Sequence, residues 1–561
     1  MDYSKICDVY EALEETTKGL EKTKILADFL DTIKENSNYI YLIQGRVFAD
    51  YDPRELGMSA QLAVRAIAKA SGHEDKDVIN EFKKIGDLGR VAQELIGVKK
   101  RQTSLFSTKL SVENVMNSLK KLPELEGKGS IDVKIGYVVN LLHSASPKEA
   151  KYIVRTVIGD LRMGVGSGII RDSIVEYCLK PVGMEEKKKA ANLVQDAYNK
   201  ATDFALVFDK ACEKKLEDIG LSPGKAVKVM LYPKAKGAND AFNIVGKPAA
   251  FEYKYDGFRM MVNKDDKGEI KIFTRRLENV SNQFPDVVKF VQENVKGKNF
   301  IIDGEAVGYD PKKNTYKEFQ AISQRIKRKY DIDRLIKELP IEFRVFDVIY
   351  YDGESLINED YEKRRELLEK IINEKKWEIG LAERIVTENV NEAEEFFNKA
   401  LEDGQEGLMV KGLDRKYKPG ARIGYGVKWK PEDKDFDLVI TGAEWGTGKR
   451  AGWLTSFDVS CRDDGELLDI GKVSTGLKEK KEEGFSFEEM TDMLKKLEIQ
   501  EYGRKIKVKP KIVVTVQYQN VQKSPTYSSG YALRFPRIIR VRPDRGEDDI
   551  ATLDEIKVEA S

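Results

Sequence analysis

Glu252-Tyr253-Lys254-Tyr255-Asp256-Gly257-Phe258-Arg259 is the stretch from which the rest of the chain is best read. Ala249, Ala250 and Phe251 lead into it as an apolar strand, and the two-residue period of a strand puts Glu252 and Lys254 on one face, an acceptor beside an amine. An Asp-Gly turn follows at once, so Lys254 arrives at the mouth of a pocket. A protonated lysine is a poor nucleophile, and its use in covalent chemistry requires burial or neighbouring cations to loosen the proton. Arg259 is one such cation. A solvated surface hairpin would carry the same residues, so the choice between the two rests on what lies downstream.

Five further stretches bear on it. Ile272-Phe273-Thr274-Arg275-Arg276 reads as a strand edge ending in cations suited to a phosphate or ribose. Phe300 to Val307 is a buried strand interrupted by Asp303 and Glu305 on one face; two uncompensated carboxylates there would cost several kcal/mol, which a divalent cation or a ribose hydroxyl would offset. Ile341 to Tyr351 is another strand, in which Phe346 either stacks on a base or packs the core. Glu406-Gly407-Leu408-Met409-Val410-Lys411 sets an acid at the mouth of an apolar strand, a second candidate ligand for Mg2+. In Gly424-Tyr425-Gly426-Val427-Lys428-Trp429-Lys430, alternation aligns Lys428 and Lys430 with Val427 and Trp429 behind them, and two aligned lysines imply an anion such as an α-phosphate.

Composition sets the frame. At 561 residues the chain is too long for one core, and three domains are expected. The 96 Lys and Arg balance 95 Asp and Glu, so any surface for a polyanion has to be local. Two histidines, His73 and His143, make histidine catalysis or a zinc site improbable. Four cysteines without metal spacing, no signal peptide and no run of about 18 apolar residues point to a reducing, cytoplasmic setting without a membrane.

From Ile6 to about Gly220 the pattern is helical. Ala150, Ile153, Val154, Val157, Ile158 and Leu161 mark one face, and further helices are expected around 25–33, 60–70 and 115–119. Arg162-Met163-Gly164-Val165-Gly166-Ser167-Gly168 then opens a new helix near Ile169; its glycines and helix N-terminus suit a DNA-backbone phosphate, with Arg162, Gly164 and Gly166 as the contacts, against the alternative of a tight turn between packed helices. Between Gly97 and Thr108 a basic loop carries Gln102, Leu105 and Phe106, which either dock on a partner or anchor the loop to its own domain. Helical periodicity yields to strands at Ser222-Pro223-Gly224. After Pro431 come short strands, among them 437–441, 457–460 and 512–518, with Gly-rich turns suggesting a small barrel. Trp445 to Arg450 lacks the first glycine and the Ser/Thr of a phosphate loop and is rejected as one. Arg534, Arg537, Arg540, Arg542 and Arg545 fall within twelve residues and are read as needing an anion; residues 547–561 read as a short closing helix.

Taken in order, EYKYDGFR, FTRR, IIDGEAVGYD, FDVIYYDG, EGLMVK and GVKWK resemble the nucleotidyltransferase motifs of ATP-dependent DNA ligases, most similarly the archaeal and eukaryotic replicative type. The resemblance spans nearly the whole chain. It implies an all-α DNA-binding domain over 1–221, an α+β adenylation domain over 222–431 and an oligonucleotide-binding β-barrel with a terminal helix over 432–561. It makes Lys254 the adenylated lysine and Glu252 the acceptor for the adenine amino group, with Phe346 stacked on the base. Arg259 and Arg275 would hold ribose and phosphate, Glu305 and Glu406 the metal or ribose, and Arg422, Lys428 and Lys430 the phosphates. Arg534 and Arg537 would meet pyrophosphate and then DNA. Implied too are ATP and Mg2+, nicked duplex DNA as substrate, roles in replication, repair and recombination, a monomeric state, and a cytoplasmic, nucleoid-associated location. The segment 102–106 is similar to the motif by which archaeal replicative ligases dock on the sliding clamp, proliferating cell nuclear antigen, although a leucine stands where an aromatic is common. A second departure lies at Val227-Lys228-Val229-Met230-Leu231, where relatives commonly have proline before Met-Leu. RNA ligases and capping guanylyltransferases share the Lys-x-Asp-Gly chemistry but do not predict the long helical region. A non-catalytic DNA clamp or scaffold would not need the intact lysine and acids.

Overall fold

The computed structural model describes the whole chain except residues 104–108, 128, 318–324, 327–330, 432–433, 448–449, 451 and 561, and only the backbone of 99–103 and 483. Two compact units divide at Lys430/Pro431. Gln102 is part of the helix Leu88–Thr103, while Leu105 and Phe106 lie outside the described residues.

The described elements between Tyr3 and Cys212 are all helices, set around one apolar core that runs from Tyr3 to Ile219. Side-chain caps explain several starts: the hydroxyls of Ser59, Ser111 and Ser146 and the carboxylate of Asp203 each accept a backbone N–H of the turn they open. Ser146 adds a capping box with Glu149 and has Pro147 at the first helical position. The helix Pro147–Val157 stops short of the predicted Leu161, because Gly159 turns the chain at φ 71° and Leu161 reaches the core from the loop beyond it. This helix is buried on every side, including Arg155, whose guanidinium is clamped by Asp87 (2.5 Å) and Glu14 (3.0 Å). Burial alone would raise the Glu14 carboxyl; Arg155 and Lys151 overcome that and hold it at about 2.

The cysteines differ from expectation. Cys178 and Cys212 form a disulfide that joins the segment Val175–Leu179 to the helix Phe204–Cys212, while Cys7 and Cys461 are buried free thiols.

The central part of the first unit is built on two sheets. One contains β1 (Lys234–Ala235), β2 (Ala249–Tyr253), β10 (Arg384–Thr387), β11 (Leu408–Gly412) and β12 (Gly426–Trp429), in the order β1-β12-β11-β2-β10. The other has β4 (Ile270–Thr274), β3 (Phe258–Lys264), β5 (Phe300–Asp310), β7 (Ile341–Tyr351) and β8 (Glu354–Ser355) in that order, with β6 (Thr315–Tyr316) on β5 and β9 (Ile379–Leu381) on β7. β2 and β3 flank the Lys254 turn and belong to different sheets, so the turn marks where the chain crosses between them. Val427 and Trp429 are buried behind Lys428 and Lys430 as alternation predicts, with Trp429 stacked on Phe397 at 4.1 Å.

The second unit is a β-strand domain. Its long first strand β13 (Lys434–Trp445) pairs with β14 (Leu454–Asp463), with β17 (Lys505–Val508) near its C-terminal end and with β18 (Val513–Tyr518) near its N-terminal end. β15 (Glu466–Val473), β16 (Glu498–Tyr502) and β21 (Arg537–Val541) complete the sheet, and β19 (Val521–Lys523) pairs with β20 (Tyr531–Leu533). The helix Leu553–Glu559 closes the chain as expected. The arginine run is corrected in part: Arg542 pairs with Asp437 (2.8 Å) and Asp544 (2.7 Å), Arg545 with Asp437 (2.7 Å), and Arg540 donates to Thr515. These three are served by acids and a hydroxyl of their own domain. Arg534 lies over the Phe535 ring at 5.3 Å, and Arg537 opens β21 from an exposed position.

No helix among the described residues is long and apolar enough to cross a membrane.

Candidate active site

β2 ends at Tyr253, and Lys254 is the first residue past it. Its backbone is fixed on both sides: its N–H donates to Gly407 O (2.8 Å) and its carbonyl accepts from Glu406 N–H (2.9 Å). Gly407 has φ 130°, and a Cβ there would lie 2.3 Å from the Trp429 carbonyl, so only glycine lets the lead-in to β11 close against the end of β12. The consequence is chemical. Glu406 Oε2 lies 2.6 Å from Lys254 Nζ and also pairs with the Lys430 ammonium. Burial alone would raise the Glu406 carboxyl, but Lys254 and Lys430 hold it down at about 2.

Glu252 does not serve as the acceptor beside Lys254. It is buried and accepts from the Tyr361 hydroxyl, pairs with Lys411 Nζ at 2.5 Å and has the Arg365 guanidinium 3.9 Å away. A carboxylate this deep requires a cation, and the antiparallel register of β11 on β2, Met409 opposite Glu252, brings Lys411 within reach. Lys411 also lies over the Phe346 ring at 5.1 Å, with the Arg259 guanidinium at 5.4 Å, so the half-buried Phe346 is flanked by two cations.

Arg259 is likewise not a loose cation near the nucleophile. It forks onto Asp303 (3.0 and 2.6 Å) and donates to Met230 O. Asp303 accepts further from the Tyr417 hydroxyl, which supplies the reason for one of the two carboxylates on β5. Glu305, the other, has no hydrogen bond or ion pair to its carboxylate among the described residues, and burial pushes it up to about 8 against the pull of Lys254 and Arg259.

The predicted phosphate contacts gather around Lys254. Burial lowers Lys428, and Lys254, Arg422 and Arg275 lower it further; burial and Lys254 also lower Lys430. Arg275 and Arg422 are exposed, at a strand end and beside the β12 hairpin respectively. The result is a cationic recess whose inward acids are Glu406 and Glu305. Among the described residues no three acidic, His or Cys side chains gather as a ready metal cage.

The loop 161–166 lies in the helical part. With Ile43 and Gln44 it lines a pocket of about 340 Å3. Gly164 has φ 62°, Lys22 Nζ donates to Met163 O, and Gly166 caps the helix Ser167–Ile174 with open space where a Cβ would be. Arg162 faces its own domain, pairing with Asp160 (2.7 Å) and donating to Gly86 O (2.9 Å). Lys411, Tyr361 and Tyr417 escaped sequence reasoning as members of the site. Lys411 ends a motif already quoted, and the need of a buried Glu252 for a cation was the signal that could have found it.

Known proteins share this architecture along its length. A family model for the ATP dependent DNA ligase domain matches residues 229–430, one for the DNA ligase N terminus matches 2–175, and one for the ATP dependent DNA ligase C terminal region matches 450–545. The chain belongs to the ATP-dependent DNA ligase family. Within it the resemblance is to archaeal members: the DNA ligase of Nanoarchaeum equitans is 44% identical over 99% of this chain and 98% of its own, and that of Thermococcus fumicolans 41% identical with the same coverage. The solved structure "Pmar-Lig_PreS3" aligns with 96% of this chain and 99% of its own at a TM-score of 0.56 and 17% identity, a likeness of fold.

Proposed function

We infer that this chain is an ATP-dependent DNA ligase that seals nicks in duplex DNA through a lysyl-adenylate. The observation that carries this is Lys254, set at a strand end with Glu406 at 2.6 Å, a carboxylate it shares with Lys430, and within electrostatic reach of Lys428, which also feels Arg422 and Arg275. Lys254 Nζ gives up a proton and attacks the α-phosphorus of ATP; the P–N bond forms, the bond to the β-phosphate breaks and pyrophosphate leaves. The adenylyl group then passes to the 5′-phosphate of the nick, and the 3′-hydroxyl attacks that phosphate, releasing AMP and closing the backbone. The cation ring compensates the phosphate charge that develops in the first transfer, in a recess where such contacts count for more than in water.

Phe346 is read as the adenine platform. Glu252 is read as acting on the base edge while held by Lys411 and Tyr361. Arg259, locked to Asp303, is read as a fixed wall for the ribose. Glu305 and Glu406 are the residues that would hold Mg2+. Glu305, a half-buried carboxyl lifted to about 8, is short of a positive charge, and Glu406 is freed for the ion once its lysines turn to phosphate. When bound, Mg2+ supplies charge neutralisation on the phosphates.

The domains are assigned as 1–221 for DNA binding, 222–431 for adenylation and 432–561 as an oligonucleotide-binding fold, with Arg534 and Arg537 for pyrophosphate and then DNA. The loop 162–166 is assigned to the DNA backbone through its glycine amides. Segment 102–106 is assigned to a sliding clamp. The protein is read as a monomer acting in replication, repair and recombination.

The test is sealing of a singly nicked duplex with a 5′-phosphate in the presence of ATP and Mg2+. Closure of DNA nicks with AMP and pyrophosphate as products is expected. Activity confined to RNA ends, or transfer of GMP to an RNA 5′ end, would overturn the reading.

A further inference from the structure

Val227 to Leu231 lies as a strap between two parts of the first unit. On one edge Lys228 N–H donates to Asn199 O (3.0 Å) at the end of the helix Met184–Ala201, and the Thr202 hydroxyl donates to Ala226 O (2.8 Å). On the other edge Gly420 N–H donates to Lys228 O (3.1 Å), Leu231 N–H to Ala421 O (2.9 Å) and Ile423 N–H to Leu231 O (3.1 Å), with Leu231 bridged to Arg422. A continuous backbone path therefore leads from the helical part, through the strap, to the turn that carries Arg422.

The side chains tighten the same junction. Gly420 has φ 71°, and a Cβ there would lie 2.5 Å from the Asn199 side-chain amide. Asn199 is 5% exposed and its Oδ1 accepts from Gln195 Nε2 at 2.9 Å. Lys228 is held over the Tyr198 ring at 5.4 Å. A turn with a left-handed glycine and an amide wedged against it has little freedom, whereas Arg422 beyond it is exposed and makes up part of the cation ring around Lys428.

We propose that Asn199 is a positioning residue for nucleotide binding: wedged on Gly420, it fixes the turn that presents Arg422, and so makes the phosphate grip depend on the docked helical domain. This rests on the reading of Arg422 as a phosphate contact.

The test is a double-mutant cycle on the full-length protein. Single-turnover self-adenylation is measured against ATP concentration for wild type, Asn199→Ala, Arg422→Ala and the double variant, with a melting curve for each. Asn199→Ala is expected to raise the half-saturating ATP concentration about five- to tenfold with little change in the maximal rate, and the double variant to be no worse than Arg422→Ala. Effects that multiply in the double variant would overturn the proposal while leaving Arg422 its role. An Arg422→Ala protein with unaltered ATP dependence would remove the underlying reading, and the proposal with it. Should Asn199→Ala melt early, Gln195→Ala, which releases the Asn199 amide without opening the core, takes its place in the same cycle under the same criteria.

Discussion

Replacing Glu305 with glutamine should stabilise the metal-free protein and impair the enzyme, in a pH-dependent way. Glu305 is a half-buried carboxyl on β5, and desolvation pushes it up to about 8 from 4.5 in the ordinary case. A carboxyl whose folded value is raised contributes its full stability below about 4.5 and loses it as pH rises through 8, because the folded state must then either keep the proton or bury a charge. At about 1.36 kcal/mol per pH unit the gap sets a ceiling near 5 kcal/mol, and residual solvent access brings the expected effect to about 2–3 kcal/mol. Glutamine keeps the shape and never ionises. The difference in melting temperature between Glu305→Gln and wild type, without Mg2+ or nucleotide, should therefore be near zero at pH 5 and reach several degrees in favour of the variant at pH 8.5. Saturating Mg2+ with ATP should erase that advantage by giving the wild-type carboxylate its cation, and sealing by the variant should fall sharply. A melting difference that stays the same from pH 5 to 8.5 would refute the argument that Glu305 is held neutral by burial.

Glu406→Ala leaves Lys254 and Lys430 facing each other without their shared counter-charge, and sealing should fall roughly a hundredfold; extra Mg2+ should recover part of it, and an unchanged rate would make Glu406 a structural residue. Arg155→Met strips the cation from the buried Asp87 and leaves the half-buried Glu14 to Lys151 alone, and should cost about 3–5 kcal/mol, read as a lower denaturation midpoint with self-adenylation per folded molecule intact; a loss under 1 kcal/mol would mean that water replaces the guanidinium. Leu105→Ala with Phe106→Ala should abolish stimulation by a sliding clamp and spare clamp-free ligation; lost stability with clamp affinity intact would place both side chains in their own domain.

Much of the fold was legible because buried strands announce themselves. β5, β7, β11 and β12 are largely apolar runs, and Gly407 and Gly426 mark close approaches, to the Trp429 carbonyl and the Tyr232 ring. The site's cation ring was legible for the same reason, since alternation alone aligns Lys428 with Lys430. What stayed hidden was partnership across distance. Glu252 and Lys254 share a strand face in the sequence, yet the strand ends between them, and Lys411, far along the chain, claims Glu252. Asp437 claims Arg542 and Arg545 in the same way, which is why a run of arginines read as awaiting an anion is partly neutralised at home. The pairing of Cys178 with Cys212 depends on how helices pack, which spacing does not encode. The helix end at Val157 instead of Leu161 depended on one residue, Gly159, whose left-handed turn lets Leu161 keep its place in the core without the helix.

The central claim is that Lys254 carries the adenylate. Incubation of the full-length protein with ATP labelled on the α-phosphate, followed by a denaturing quench at alkaline pH with EDTA, digestion and peptide mapping at the same pH, should put an acid-labile, base-stable label on the peptide containing Lys254, and Lys254→Ala should take up none while still binding nicked DNA. Label on any other residue, or stable label on Lys254→Ala, would contradict it.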